Sequence, residues 1–210
     1  MNWLNLIGIA VIAVLLAYKI NYLIRYFKNK ENINPLKTMQ GFVGWWIGLA
    51  LEAVSALFIT VYKIPGYYFQ LLDLMLSVII ISVIDARSKI IPNYLMVALL
   101  LSQIICAFTF AKTYLDIWNV VLSIIVLGVL MLASKISKEQ IGMGDVKLIT
   151  AVNLIYGLSF TMYSFMFALI IMLVCMIPLL ILKRIKLKSQ LPFAPFYTLG
   201  IIAYIILSLI

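Results

Sequence analysis

The chain has 210 residues, of which 66% are hydrophobic and 11% charged, with a mean hydropathy of +1.17. That composition excludes an ordinary soluble domain, and apolar runs of spanning length recur throughout, so an all-α, polytopic membrane helix bundle is expected. The net charge of +9 is then no pointer to nucleic acid, because Lys and Arg in a membrane protein mark cytoplasmic loops and meet the headgroups of membrane lipid. Histidine is absent, which excludes His-based triads and most zinc or iron sites and leaves proton transfer to carboxylates, Lys, Tyr or Cys. Cys106 and Cys175 stand singly in apolar runs and read as small buried hydrophobes, and no cofactor or metal is expected.

Residues 3–24 form a first span whose basic residues Lys19, Arg25 and Lys28 follow the apolar run instead of preceding it. A cleaved signal peptide has the opposite order, so a retained helix entering from outside is expected. Residues 25–41 are polar and basic and read as a short cytoplasmic loop. The second span, 42–62, has Trp45 and Trp46 near one end, Tyr62 at the other and Glu52 in the middle. A third, 67–84, holds Asp73 toward its outer end and delivers Asp85 at its inner end. Pro92 ends or restarts helix in the short loop that follows.

Fourth and fifth spans cover 94–111 and 117–134, and a polar inner loop leads into Gly142-Met143-Gly144-Asp145-Val146-Lys147-Leu148. The apolar run 146–182 is too long for one helix at 1.5 Å per residue; Asn153, Tyr156, Gly157 and Ser159 suggest a break near 157–160. An eighth span, 196–210, closes the chain. With the N- and C-termini outside, 14 of the 16 basic residues, Lys19 and the cluster at 183–188 among them, fall in inner loops. Merging the sixth and seventh spans would put that cluster outside, so eight spans are expected.

Seven acids must be weighed. Glu31 and Glu139 sit among lysines, and Asp116 lies in an outer turn, where solvation suffices. Asp73 has tyrosines nearby and can reach the interface, and Glu52 is deep enough to need a partner. Asp85 and Asp145 share the cytoplasmic ends of spans and hence one depth. Two carboxyls a few ångströms apart cannot both ionise cheaply, so one keeps a proton while the other is charged. Such a pair can activate water and protonate a departing amine, which is peptide hydrolysis without metal or histidine. The bland alternative is a helix-end Asp85 neutralised by Arg87 or Lys89, and an Asp145 stabilised by a helix N-terminus.

Four stretches in matching order resemble the type IV prepilin peptidases, which are polytopic membrane aspartyl endopeptidases. They are the Gly142-Met143-Gly144-Asp145 motif with Lys147 and Leu148; Asp85 followed by Ile91-Pro92-Asn93; Leu191-Pro192-Phe193-Ala194-Pro195-Phe196, with Ala194 where the family usually has Gly; and the helix around Glu52. The resemblance implies that Asp85 and Asp145 are the catalytic pair, with Gly142, Gly144, Lys147, Pro92, Asn93 and Glu52 supporting the site or binding substrate. It implies a prepilin-like substrate with a short basic leader before an apolar helix, cut at the cytoplasmic boundary of the plasma membrane. Many members also methylate the new N-terminus and carry paired Cys-x-x-Cys motifs between their first two helices. Residues 25–41 hold no cysteine and are too short for that domain, so a single peptidase domain over 1–210, without zinc or methyl transfer, is expected. Two other readings are a proton- or cation-coupled carrier relaying through Glu52, Asp73 and Asp85, and a non-catalytic pilus or secretion assembly protein. A carrier needs acids at several depths, whereas a protease needs two at one depth.

Overall fold

The computed structural model describes residues 3–28, 47, 50, 54, 65–111, 116–137, 142–182 and 191–209, and every regular element among them is helical. In chain order these are α1 (Trp3–Lys28), α2 (Gly66–Ser88), α3 (Asn93–Cys106) running on into a π-helical turn (Ala107–Ala111), α4 (Ile117–Ile136), α5 (Met143–Ile181) and α6 (Ala194–Leu209). They fall into two compact units, one of residues 1–80 and 92–115 and the other of residues 81–91 and 116–210, so α2 contributes to both. Glu52 and the basic clusters at 29–41 and 183–188 lie outside the described residues.

In the first unit α1 packs on α3, and Ile12, Phe69 and Cys106 form a buried apolar cluster. Beside this apolar packing sits a polar core. Lys19, 1% exposed, pairs with Asp73, also 1% exposed, at 3.3 Å and donates to Ser77 Oγ at 2.5 Å and Ser102 Oγ at 2.8 Å. The second Asp73 oxygen accepts from Ser102 Oγ and Gln103 Nε2, each at 2.7 Å. Two expectations are overturned here. Lys19 is not a loop charge, because α1 continues to Lys28 and carries it into the interior. Asp73 does not reach an interface, because three donors from α1 and α3 hold it inside. A buried ion pair is affordable only when its remaining donors and acceptors are filled, and here hydroxyls and an amide fill them.

In the second unit α5 packs against both α4 and α6. Toward α4, Asn153 Nδ2 donates to Ser123 Oγ at 2.8 Å. Toward α6, Tyr163 stacks on Tyr204 with centroids 5.6 Å apart, and Phe160 meets the same ring edge-to-face at 5.0 Å. The expected break in the long apolar run falls at Gly157, whose φ of 80° and ψ of 174° interrupt the helix. Side chains with a Cβ rarely adopt that conformation, so glycine is what lets the chain change direction there. Residues 143–156 then measure about 21 Å at 1.5 Å per residue, shorter than a hydrocarbon core of about 30 Å.

Among the described residues, Gly66–Ser88, Ile117–Ile136 and Met143–Pro178 are long and apolar enough to cross a membrane. α4 presents Trp118, Val121, Ile125, Val129, Leu132 and Ile136 along one exposed face, a surface suited to lipid. Cys106 is buried, but Cys175 is exposed near the far end of α5, against the expectation for it. The isolated apolar run could not distinguish a lipid-facing position from a packed one.

The Lys19–Asp73 pair gives a stability prediction. Lys19→Met or Asp73→Leu alone should each cost about 3–5 kcal/mol, because either leaves one buried charge uncompensated. The double replacement should be less destabilising than either single one, as measured by thermal unfolding of the detergent-purified protein.

Candidate active site

Asp85 lies in the last turn of α2 and is 4% exposed. The helix ends just beyond it: Lys89 takes a φ of 55° and its N–H donates to the Asp85 carbonyl at 2.8 Å. That left-handed residue closes the helix, and Pro92, which cannot continue it, serves as N-cap of α3. The side chain of Asp85 meets the start of α6. Its Oδ2 accepts the Ala194 N–H at 3.1 Å. Ala194 is the first residue of α6, where backbone N–H groups have no partner inside the helix, and Pro195 has no N–H at all. The carboxylate therefore fills an orphan donor at the positive end of a helix.

Two hydroxyls surround this contact. Ser82 Oγ lies 3.1 Å and Thr198 Oγ1 2.8 Å from the Ala194 carbonyl oxygen, and the two hydroxyls also lie within hydrogen-bond reach of each other; with one hydrogen apiece they make two of these three bonds at a time. Phe193 stacks on Tyr197 and packs at a tilt against Phe165, which anchors the turn into α6. Lys89 is the only non-glycine residue with positive φ among those described, so Ala194 needs no glycine conformation. That explains how alanine can stand where the resembling sequences usually have glycine.

Asp145 is the third residue of α5, and its N–H donates to the Gly142 carbonyl at 3.0 Å. It lies within electrostatic reach of Asp85. Its Oδ1 is buried with no hydrogen-bond partner. Close approach requires glycine at 144 and presses less on 142, where the neighbour is the end of a side chain that can turn. A Cβ on Gly142 would stand 2.9 Å from Asp145 Oδ2, and one on Gly144 would stand 2.9 Å from Ile91 Cβ. The first leaves room for the carboxyl to fold back over the helix start, and the second seats α5 against the segment that follows Asp85.

The structure thus brings Asp85, Asp145, Gly142, Gly144 and Lys147 into one unit, with Lys147 half-buried two residues beyond Asp145. Pro92 and Asn93 belong to the other unit, where Asn93 is an exposed first residue of α3. Glu52 is outside the described residues. Sequence reasoning missed Ser82, Thr198 and the Ala194 amide. A small polar residue three positions before an acid at the end of an apolar run was the available signal for Ser82, since such residues share a helix face.

The model of the type IV leader peptidase family matches residues 72–177, half of the chain and including both aspartates. The chain belongs to that family. No curated protein and no solved structure matches it. Membership makes it a peptidase of the prepilin leader kind, and its apolar helices make it a membrane protein.

The contact at Gly144 is testable. Gly144→Ala should cost about 1–3 kcal/mol, because Ile91 Cβ is tied to its backbone and cannot swing aside. Ile91→Ala keeps that Cβ and should recover little of the loss, whereas Ile91→Gly removes it, so Gly144→Ala with Ile91→Gly should cost less than the sum of the two single changes, read as thermal stability alongside peptidase activity.

Proposed function

We propose that the chain is an aspartic endopeptidase that removes the short basic leader of prepilin-like proteins, with Asp85 and Asp145 as its catalytic pair. The observation that carries this reading is the juxtaposition of a buried Asp85, held by a backbone amide, with an Asp145 whose buried oxygen has no partner. Unpaired acid at the mouth of a membrane helix is costly, and a shared proton is the inexpensive state of two such carboxyls. In that state one carboxylate takes a proton from water as its oxygen attacks the scissile carbonyl. The other gives its proton to the carbonyl oxygen. Collapse of the diol breaks the C–N bond while the proton collected from water passes to the departing nitrogen, and the second carboxyl recovers its proton. Water is consumed and no metal is needed.

The topology belongs to the same proposal. The chain would cross the plasma membrane eight times with both termini outside, and the pair would sit at the cytoplasmic face, where a basic leader precedes an apolar substrate helix. The break at Gly157 supports counting 143–181 as two spans, and removing Lys19 from the inner loops leaves the positive-inside bias in place. Residues 1–210 would act as one peptidase domain, with the short segment that follows α1 in the place of a zinc-binding domain, and so without methyl transfer. Gly142 and Gly144 would leave space for an extended substrate strand, and Lys147, Pro92, Asn93 and Glu52 would support the site.

Co-expression with a prepilin-like substrate tests the reading. Asp85→Asn and Asp145→Asn should each reduce leader removal by at least about 100-fold, the usual worth of a general acid or base. Cleavage that survives either change would sink the assignment. Mass spectrometry of the mature substrate should find its new N-terminus unmethylated.

A further inference from the structure

The two carboxyls are not equivalent in their surroundings. Ser82 and Asp85 are three residues apart on α2, and Ala194 and Thr198 are four apart on α6, so each pair lies on one helix face. These faces meet. Ser82 (7% exposed) and Thr198 (6%) both lie within donating distance of the Ala194 carbonyl and of each other, and the Ala194 N–H donates to Asp85. The clamp grips the far side of the residue whose amide faces the acid, which fixes the register of α2 on α6. A donated amide stabilises a carboxylate and does nothing for a neutral carboxyl oxygen. Asp145 has no such donor on Oδ1, and a buried anionic oxygen without a donor is the costly alternative. The α5 N-terminus favours charge on Asp145, but only through the dipole, a smaller effect than a direct amide bond to charge.

We infer that Ser82 and Thr198 are positioning residues that hold the Ala194 amide on Asp85, making Asp85 the ionised member that activates water and Asp145 the member that carries the proton. This rests on the proposed catalytic pair and assigns its roles. In the first step Asp85 accepts the proton from water and Asp145 passes its own to the scissile carbonyl oxygen. The protons then move as already written: Asp85 gives its proton to the leaving nitrogen and Asp145 is reprotonated from the diol.

Asp145 is the ionisable group that α5 brings to Asp85, with Lys147 two residues beyond it. α6 contributes no charged residue, and Arg87 and Lys89 follow Asp85 as exposed residues. The acid limb of the rate–pH profile therefore reports mainly on Asp85. Loss of the amide makes Asp85 hold its proton to higher pH, so the acid limb moves up.

The test is the pH dependence of leader cleavage by purified full-length protein in detergent. Thr198→Val keeps the side-chain shape without the hydroxyl; with Ser82→Ala it should lower kcat about 10-fold, leave KM within about 2-fold, and shift the acid limb upward by about half a unit or more. Thr198→Ser should restore both rate and profile. Ala194→Pro deletes the amide itself at a helix position where proline is well tolerated and should give the same shift. An unshifted acid limb in these variants, whether or not the rate falls, overturns the inference while leaving the pair intact. Activity in Asp85→Asn or Asp145→Asn overturns the pair itself, so the two failures are distinguishable.

Discussion

Hydrocarbon offers no hydrogen bonds, so every polar group that this chain takes into its helices must find its partner in the chain itself. The polar contacts follow that constraint. Lys19 and Asp73 neutralise each other and recruit three side chains from α2 and α3 to fill their remaining sites. Asn153 and Ser123 join α4 to α5, and Ser82 and Thr198 close on a single carbonyl. Five buried side-chain atoms among the described residues have no hydrogen-bond partner, and Asp145 Oδ1 is the one that belongs to an acid. With Asp73 and Asp85 both holding donors, an acid oxygen left open is one that chemistry can use.

The local geometry around that acid depends on backbone more than on side chains. Lys89 ends α2 one turn after Asp85, Gly144 lets α5 begin close to Ile91, and Pro195 thins the donors at the head of α6 so that the Ala194 amide is offered to Asp85. None of these residues carries charge to the reaction. Each decides where a carboxyl can sit.

Much of this was legible in the sequence. Apolar run lengths anticipated α3, α4 and α6 to within a few residues, and the excessive length of 146–182 located the break that Gly157 makes. Spacing singled out Asp85 and Asp145 because one closes an apolar run and the other opens one, which gave both the same expected depth. The Lys19–Asp73 pair was not legible, because a lysine late in an apolar run looks the same whether it snorkels to headgroups or turns inward. What decides between them is the presence of Ser77, Ser102 and Gln103 on other helices, and one sequence gives no signal of their proximity. The Ala194 amide was hidden for a different reason: it is backbone, so residue identity there says nothing about it.

The buried ion pair also constrains how the protein is made. Lys19 emerges from the ribosome 54 residues before Asp73 and 83 residues before Ser102. Through that interval α1 carries an ammonium group whose native seat does not yet exist. α1 can therefore complete its contacts only after α3 has been synthesised, and the order of assembly is written into the separation of Lys19 from its partners.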